Sequence, residues 1–309
     1  MIVIENIDKL DNSLKEACIA IGNFDGIHQG HKSLIEETLV VSKKKNLVPT
    51  ILTFNPMPEE HFNSNEFFRL MDMSDKYKAL ESFGIEQVIT IPFDKKFSEI
   101  TKDLFIENIL INKLMTKHLV IGRDFKFGNK RLGDVNLLKF CRDKGLFDLS
   151  ILDLVTVSDE KVSSRDIRKL IYKGNIRDAN KLMAAPFSLS GKVIHGEKRG
   201  RKLGYPTANI EIYNSYPING IFLVSILFED KKFYGLASWG NKPTFSGQDH
   251  VLEVNIFDFE SDIYNKFLKI IFIDKIRDQI KFNDKNELIE QMHEDKKLAK
   301  NLLGKSNEL

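Results

Sequence analysis

Five uncharged apolar residues, Ala17-Cys18-Ile19-Ala20-Ile21, run directly into Gly22-Asn23-Phe24-Asp25-Gly26-Ile27-His28-Gln29-Gly30-His31. No other stretch limits the possible folds as tightly. The apolar run reads as a buried strand. Beyond the glycines, Leu34, Ile35, Thr38, Leu39 and Val41 recur at roughly helical spacing, the mark of an amphipathic helix. Strand, turn and helix make one βα unit of an open α/β sheet, where ligands settle outside the carboxyl ends of the strands. Gly22, Gly26 and Gly30 let backbone come close to a ligand. The helix start offers unpaired N–H groups and a positive dipole end, a seat for phosphate. His28 and His31 are three apart and share one side of that start. Two imidazoles beside a phosphate steady the charge that builds on it during transfer. The plainer alternative is a glycine-rich turn with two solvated histidines. The coincidence of glycine spacing, paired histidines and strand–turn–helix context favours the phosphate reading.

The rest of the first half repeats the pattern. Strand-like runs fall at 50–54, 87–91, 118–121 and 150–155, and helix-like runs at 32–44, 74–83, 102–115 and 134–144. Such alternation predicts a parallel sheet covered by helices. From Phe187 onward strands dominate, at 188–195, 208–212, 221–228, 233–237, 252–257 and 268–273, with Gly, Pro and Asn turns between them. Short β runs of that kind predict a small antiparallel barrel, and 285–303 reads as a helix packed on it. Pro186 marks the boundary, so the expected domains are 1–185 and 186–309, a division that 309 residues accommodate.

Charge and cysteine content narrow the class. With 46 basic against 44 acidic residues the net charge is +2, which argues against a dedicated nucleic-acid surface. Two cysteines, Cys18 and Cys141, make no disulfide framework, and a reducing cytoplasm is expected. No apolar run approaches the length of a membrane span, and the first residues lack a signal-peptide pattern.

Four further stretches carry chemistry. Thr53-Phe54-Asn55-Pro56-Met57-Pro58 follows a strand, and its two prolines predict an extended loop with no helix. In Gly122-Arg123-Asp124-Phe125-Lys126-Phe127-Gly128, the two phenylalanines are placed to sandwich an aromatic ring and Asp124 to accept a hydrogen bond from it. Two core phenylalanines beside a capping Asp explain the same pattern equally well. Ser163-Ser164-Arg165-Asp166-Ile167-Arg168 opens a helix that Gly174 stops. Its hydroxyls, free N–H groups and Arg168 suit a second phosphate seat, although a capped helix alone accounts for the composition. The last runs from Gly196-Glu197-Lys198-Arg199-Gly200-Arg201-Lys202-Leu203-Gly204 to Tyr205-Pro206-Thr207-Ala208-Asn209. Gly196, Gly200 and Gly204, with Arg201 among the charges, form a cationic loop able to fold over polyphosphate. Thr207 and Asn209 alternate and share one strand face, where two neutral oxygens suit a Mg²⁺ already held by phosphates. A basic surface loop leading into a strand is the alternative.

These motifs, in this order, resemble one family. The Gly-x-Phe-Asp-Gly-x-His-x-Gly-His turn is similar to the His-x-Gly-His signature of nucleotidylyltransferases, and within them to the bacterial bifunctional riboflavin kinase/FAD synthetases. The Gly-x-Asp-Phe-x-Phe-Gly, Gly-Tyr-Pro-Thr-Ala-Asn and Gly-x-x-Pro-Thr-Phe runs (the last at Gly240-Asn241-Lys242-Pro243-Thr244-Phe245) and Leu252-Glu253-Val254 resemble that family too. The resemblance implies a Rossmann-like nucleotidylyltransferase domain followed by a riboflavin kinase barrel. It implies two reactions: ATP phosphorylates riboflavin to FMN, then a second ATP gives its adenylyl group to FMN, yielding FAD and pyrophosphate. By the same resemblance Glu253 is the kinase base, with Mg²⁺ on Thr207 and Asn209 and with Gly196, Gly200, Arg201 and Gly204 around the nucleotide. His28, His31 and Arg168 act in adenylyl transfer, with Gly22, Phe24, Gly30, Asp124, Ser163 and Ser164 around that nucleotide. Phe125, Phe127 and Asn241 contact the flavin. Three departures stand out: Asn55 and Met57 replace Asp and His, Arg165 replaces Thr, and Ala184-Ala185 replaces Gly-Arg. The last two motivate an alternative, a monofunctional riboflavin kinase with an impaired first domain. A transferase for another phosphorylated substrate and a non-catalytic flavin carrier are the remaining rivals.

Overall fold

The structure is a computed structural model describing residues 1–5, 7, 16–62, 67–153, 156–157, 160–161, 163–196, 204–212, 216, 218–240 and 250–306. It divides into two compact units, Met1–Ser164 with Met183–Ala185, and Arg165–Leu182 with Pro186–Leu309.

The first unit is built on six parallel strands: β1 (Ile2–Ile4), β2 (Ala17–Ile21), β3 (Val48–Phe54), β4 (Gln87–Ile91), β5 (Thr116–Gly122) and β6 (Asp148–Leu152). Their order is β1-β4-β3-β2-β5-β6. From β2 the chain goes to β3 on one side, while β5 pairs with β2 on the other. That reversal makes the carboxyl edge between β2 and β5 the topological switch point, where open α/β sheets hold ligands. Helices follow the strands: α1 (Gln29–Lys45), α2 (Pro58–Phe62), α3 (Met73–Ser82), α4 (Lys95–Ser98), α5 (Lys102–Leu104) and α6 (Val135–Asp143). Beyond α5 the coil continues as a π-helix over Phe105–Lys113, closed by Leu114 N–H donating to Ile109 O at 2.9 Å.

Strand periodicity explains why the sheet is buried on both faces. In β2, Ile19 and Ile21 pack with Leu52, Ile89 and Leu119 beneath the π-helix and α6. Cys18 and Ala20 point the other way, to Ile51, Val88 and Val120 beneath α1 and α3. Each such fully buried aliphatic side chain contributes roughly 1.5–3 kcal/mol.

The 53–58 stretch corrects one expectation. Pro58 does not forbid a helix; it starts α2. Proline at the first helical position loses no hydrogen bond, because that N–H has no intrahelical acceptor.

A short hairpin, β7 (Thr156–Val157) and β8 (Glu160–Lys161), precedes the second unit. That unit opens within α7 (Ser164–Tyr172), from Arg165 on, and continues with α8 (Ile176–Lys181). Gly174 at φ +82° ends α7, as its position in the sequence suggests. Six antiparallel strands follow: β9 (Ser188–Ile194), β10 (Ala208–Ile212), β11 (Gly220–Phe228), β12 (Lys231–Trp239), β13 (His250–Ile256) and β14 (Phe267–Arg277). They close into a barrel in the order β10-β13-β12-β11-β14-β9. Ile210, Phe222, Val224, Leu252, Val254, Ile270 and Phe272, all fully buried, fill it. Asn180 fastens α8 to the barrel, donating to Phe272 O and accepting from Phe187 N, both at 2.8 Å. The C-terminal helix, Lys285–Ser306, lays Ala299, Leu302 and Leu303 on Leu223, Leu236 and Phe257 outside the barrel.

Candidate functional sites

In the first unit, a cleft of about 330 Å³ opens at the switch point and is lined by Gly22, His28, Gly30, His31, Asp124, Phe125 and Ser163 among others. Seven residues singled out from sequence therefore meet in one place. The turn beneath it is tightly held. Asn23 O accepts from Lys76 Nζ at 2.8 Å and from Thr53 Oγ1 at 3.2 Å. The Asp25 carboxylate accepts from Leu70 N at 3.1 Å, and Asp25 O from Ser164 Oγ at 2.9 Å. Gly26 O accepts from Ala184 N at 3.0 Å. These bonds keep Phe24, Gly26 and Ile27 at φ +48°, +78° and +43°, a conformation costly for the two side-chain-bearing residues.

The His28 and His31 rings stack with centroids 3.8 Å apart. Burial, His28 and Lys76 together hold the His31 imidazole well below its usual 6.5, so His31 is neutral at physiological pH. No acidic residue occupies the first turn of α1, leaving the positive dipole end uncancelled. Three predicted residues take other places. Phe24 is fully buried and backs the His31 ring at 5.1 Å. The Ser164 hydroxyl pins the turn through Asp25 O. Arg168 is half-buried on α7 and groups with the second unit.

Alongside lies an aromatic chamber of about 460 Å³, walled by Phe54, Phe62, Phe93, Phe97, Phe105, Phe125 and Phe127. Phe125 and Phe127 stack at 5.6 Å and 18°. That spacing leaves no room for a third ring between them, which corrects the sandwich expectation; Phe127 belongs to the core as well as lining the chamber. Sequence reading missed Phe54, Phe93 and Phe97. Their positions at or just beyond the carboxyl ends of β3 and β4 were the available signal.

In the second unit, Asn209 on β10 stands in register with Glu253 on β13, and Glu253 with Ser238 on β12. Directly opposed residues share a face, so these three form a polar row across three strands, outside the buried Leu252 and Val254. Glu253 is half-buried. A Cβ at Gly196 would lie 2.0 Å from Asn209 Nδ2; only glycine fits against that amide. Thr207 lines a cavity of about 570 Å³ with Pro206, Phe259 and Asp262. Gly204 holds φ +80° in the turn before it. Gly200, Arg201 and Asn241 lie outside the described residues.

Comparison with known proteins covers both units. The FAD synthetase family model matches residues 10–166 and the riboflavin kinase model residues 183–303. The "Bifunctional riboflavin kinase/FMN adenylyltransferase" of Buchnera aphidicola subsp. Schizaphis graminum is 40% identical over 303 residues, 96% of each chain. The Escherichia coli K12 protein of that name is 32% identical over 308 residues, 98% of each chain. A crystal structure named Macrolide-efflux Protein from Streptococcus pneumoniae superposes with a TM-score of 0.84 at 31% identity, covering 97% of this chain and 98% of its own. Among the described residues here, no helix is long and apolar enough to cross a membrane.

Proposed function

This chain belongs to the bifunctional riboflavin kinase/FMN adenylyltransferase family, and from that premise we propose how its parts divide the work, with 1–185 transferring adenylyl and 186–309 phosphorylating riboflavin. It is a transferase of flavin biosynthesis that makes FMN from riboflavin and FAD from FMN. The reading as a kinase with a decayed first half gives way, since both halves match. Ala184 also makes its bond to the turn through backbone N–H, a contact that replacing glycine leaves intact.

The observation that carries the adenylyl assignment is the shared wall of the polar cleft and the aromatic chamber. ATP lays its phosphates on the glycine turn and the start of α1, with its α-phosphorus beside His28 and His31. The flavin ring fills the chamber against Phe125 and Phe127. An FMN phosphate oxygen attacks the α-phosphorus in line and pyrophosphate leaves. Positioning and charge stabilisation by the imidazoles supply the rate.

In the barrel, Glu253 takes the proton from the riboflavin 5′-hydroxyl as its oxygen attacks the γ-phosphorus of ATP and ADP leaves. Thr207 and Asn209 offer neutral oxygens, and no group of three or more His, Cys, Asp or Glu able to hold a metal occurs among the described residues. That donor set fits a Mg²⁺ taking most of its ligands from phosphate; when bound, it neutralises charge on the β- and γ-phosphates. Gly196 and Gly204 border the cationic stretch 197–203, which lies outside the described residues. Pure protein incubated with riboflavin, ATP and Mg²⁺, with the flavins separated by chromatography, should yield FMN first and then FAD. A run that stops at FMN overturns the adenylyl assignment.

A further inference from the structure

The polar cleft and the aromatic chamber have six residues in common: Phe54, Pro58, Glu59, Phe125, Lys126 and Arg131. Three of them are charged. Glu59 is occupied, accepting from Asn23 Nδ2 at 2.7 Å. Lys126 and Arg131 have exposed side chains and make no ion pair or side-chain hydrogen bond among the described residues. Two uncommitted cations thus stand on the partition between a seat for a ring system and a seat for a triphosphate.

Their placement is fixed by a closed loop. Phe127 and Gly133 exchange backbone hydrogen bonds at 3.0 and 2.9 Å. Asn129 anchors the loop through its N–H to Ile100 O at 2.7 Å and its amide to Ser98 O at 3.2 Å. A Cβ at Gly128 would meet the Lys102 backbone at 2.7 Å, so the loop sits hard against α5. Within it, Lys130 and Arg131 take the left-handed region at φ +51° and +58°. Consecutive side-chain-bearing residues adopt it only where the surroundings impose it.

We propose that Lys126 and Arg131 bind the 5′-phosphate of FMN and so make adenylyl transfer select the phosphorylated flavin over riboflavin. The inference rests on the ring-in-chamber reading above. With the ring in the chamber and the α-phosphorus at the histidines, the ribityl chain carries its terminal phosphate across the common wall. That phosphate carries between one and two negative charges near pH 7. It must approach an anionic triphosphate, and two cations offset the repulsion while Glu59 stays engaged with Asn23. Arginine adds a planar fork suited to phosphate oxygens. A new P–O bond then forms from the FMN phosphate to the α-phosphorus, the bond from that phosphorus to the β-phosphate oxygen breaks, and its electrons leave with pyrophosphate.

The test uses full-length Lys126→Met and Arg131→Met proteins in steady-state FAD formation from supplied FMN. KM for FMN should rise about tenfold in each variant, with KM for ATP changed less than about twofold. Lumiflavin, which has the ring but neither a phosphate nor a hydroxyl for the kinase half to phosphorylate, should inhibit with an unchanged constant. Lys126→Arg should restore the wild-type KM, and unchanged FMN production from riboflavin should confirm intact folding. A rise in KM for ATP instead would assign the cations to the triphosphate and overturn the proposal. A parallel loss of lumiflavin affinity would do the same by pointing to ring contact, as would an unaltered KM for FMN. Wild-type protein that binds FMN but makes no FAD would instead sink the functional reading on which the proposal stands.

Discussion

A neutral imidazole and an imidazolium do different work on a phosphate, and His31 is held neutral by burial. In the proposed adenylyl transfer it therefore acts as a neutral hydrogen-bonding dipole on developing charge. Removing it in His31→Ala should lower FAD formation about 10²–10³-fold, the usual cost of one such donor, while FMN formation is unchanged. Equal FAD rates would remove the histidine argument. The sign of the pH effect follows from linkage. The folded pKa lies below the unfolded value, so the unfolded chain binds more protons as pH falls through about 6.5, and His31's contribution opposes folding in that range. Thermal melts from pH 7.5 to 5.5 should show a steeper loss for wild type than for His31→Ala. In the barrel the corresponding residue is Gly196. Its alanine variant must displace the Asn209 amide, so FMN formation should need more Mg²⁺ for half its maximal rate, with FAD formation from supplied FMN unaffected. An unshifted Mg²⁺ requirement would separate Asn209 from the metal. The paired histidines and the glycines around them were legible in sequence because they sit between an uncharged apolar run and a helical pattern at fixed spacing. The role of Phe24 was not. An aromatic in a signature looks like a ligand contact, and only the +48° φ, which turns its ring beneath His31, makes it a support.

Among the elements, α3 holds what sequence periodicity conceals. Its pattern reads as an amphipathic helix whose lysines belong in water, yet Lys76 is fully buried with its ammonium on Asn23 O. Burial pushes its pKa down to about 8, against the opposing pull of Asp25. Above pH 8 the folded protein loses this proton while the unfolded chain keeps it up to about 10.5, so Lys76's contribution to stability improves across that window. Activity should move the other way, because the bond from charged Lys76 to the turn weakens. FAD formation should decline above pH 8 while the stability of wild type relative to Lys76→Met increases; FAD formation and relative stability that rise together would contradict this role. Most strands and helices were readable, since buried parallel strands appear as continuous apolar runs. The edge strand β1 was not, being three residues long with two of them exposed. Nor was the aromatic chamber. With 23 phenylalanines in the chain, composition does not single out those at the strand ends, and it is the strand order that assembles them.

For the whole molecule, the question is whether two chemistries on one polypeptide need each other. Each unit has its own core: the first on the two faces of its sheet, the second inside the barrel and beneath the C-terminal helix. Each also contains the groups proposed above to handle its nucleotide, the stacked histidines in one and the Asn209–Glu253 row in the other. Glu253→Gln removes the proposed general base, a group that typically contributes 10²–10⁴-fold, so this variant should make little FMN yet still convert supplied FMN to FAD. His31→Ala should accumulate FMN and stop there. Given only riboflavin, ATP and Mg²⁺, neither protein alone should produce FAD at an appreciable rate. An equimolar mixture should, because FMN released by one variant diffuses to the other. Production in the mixture should rise with total protein and show a lag while free FMN accumulates. If the mixture makes no more FAD than the two variants apart, although each keeps its surviving half-reaction, FMN does not leave the chain that made it, and the division into independent halves fails.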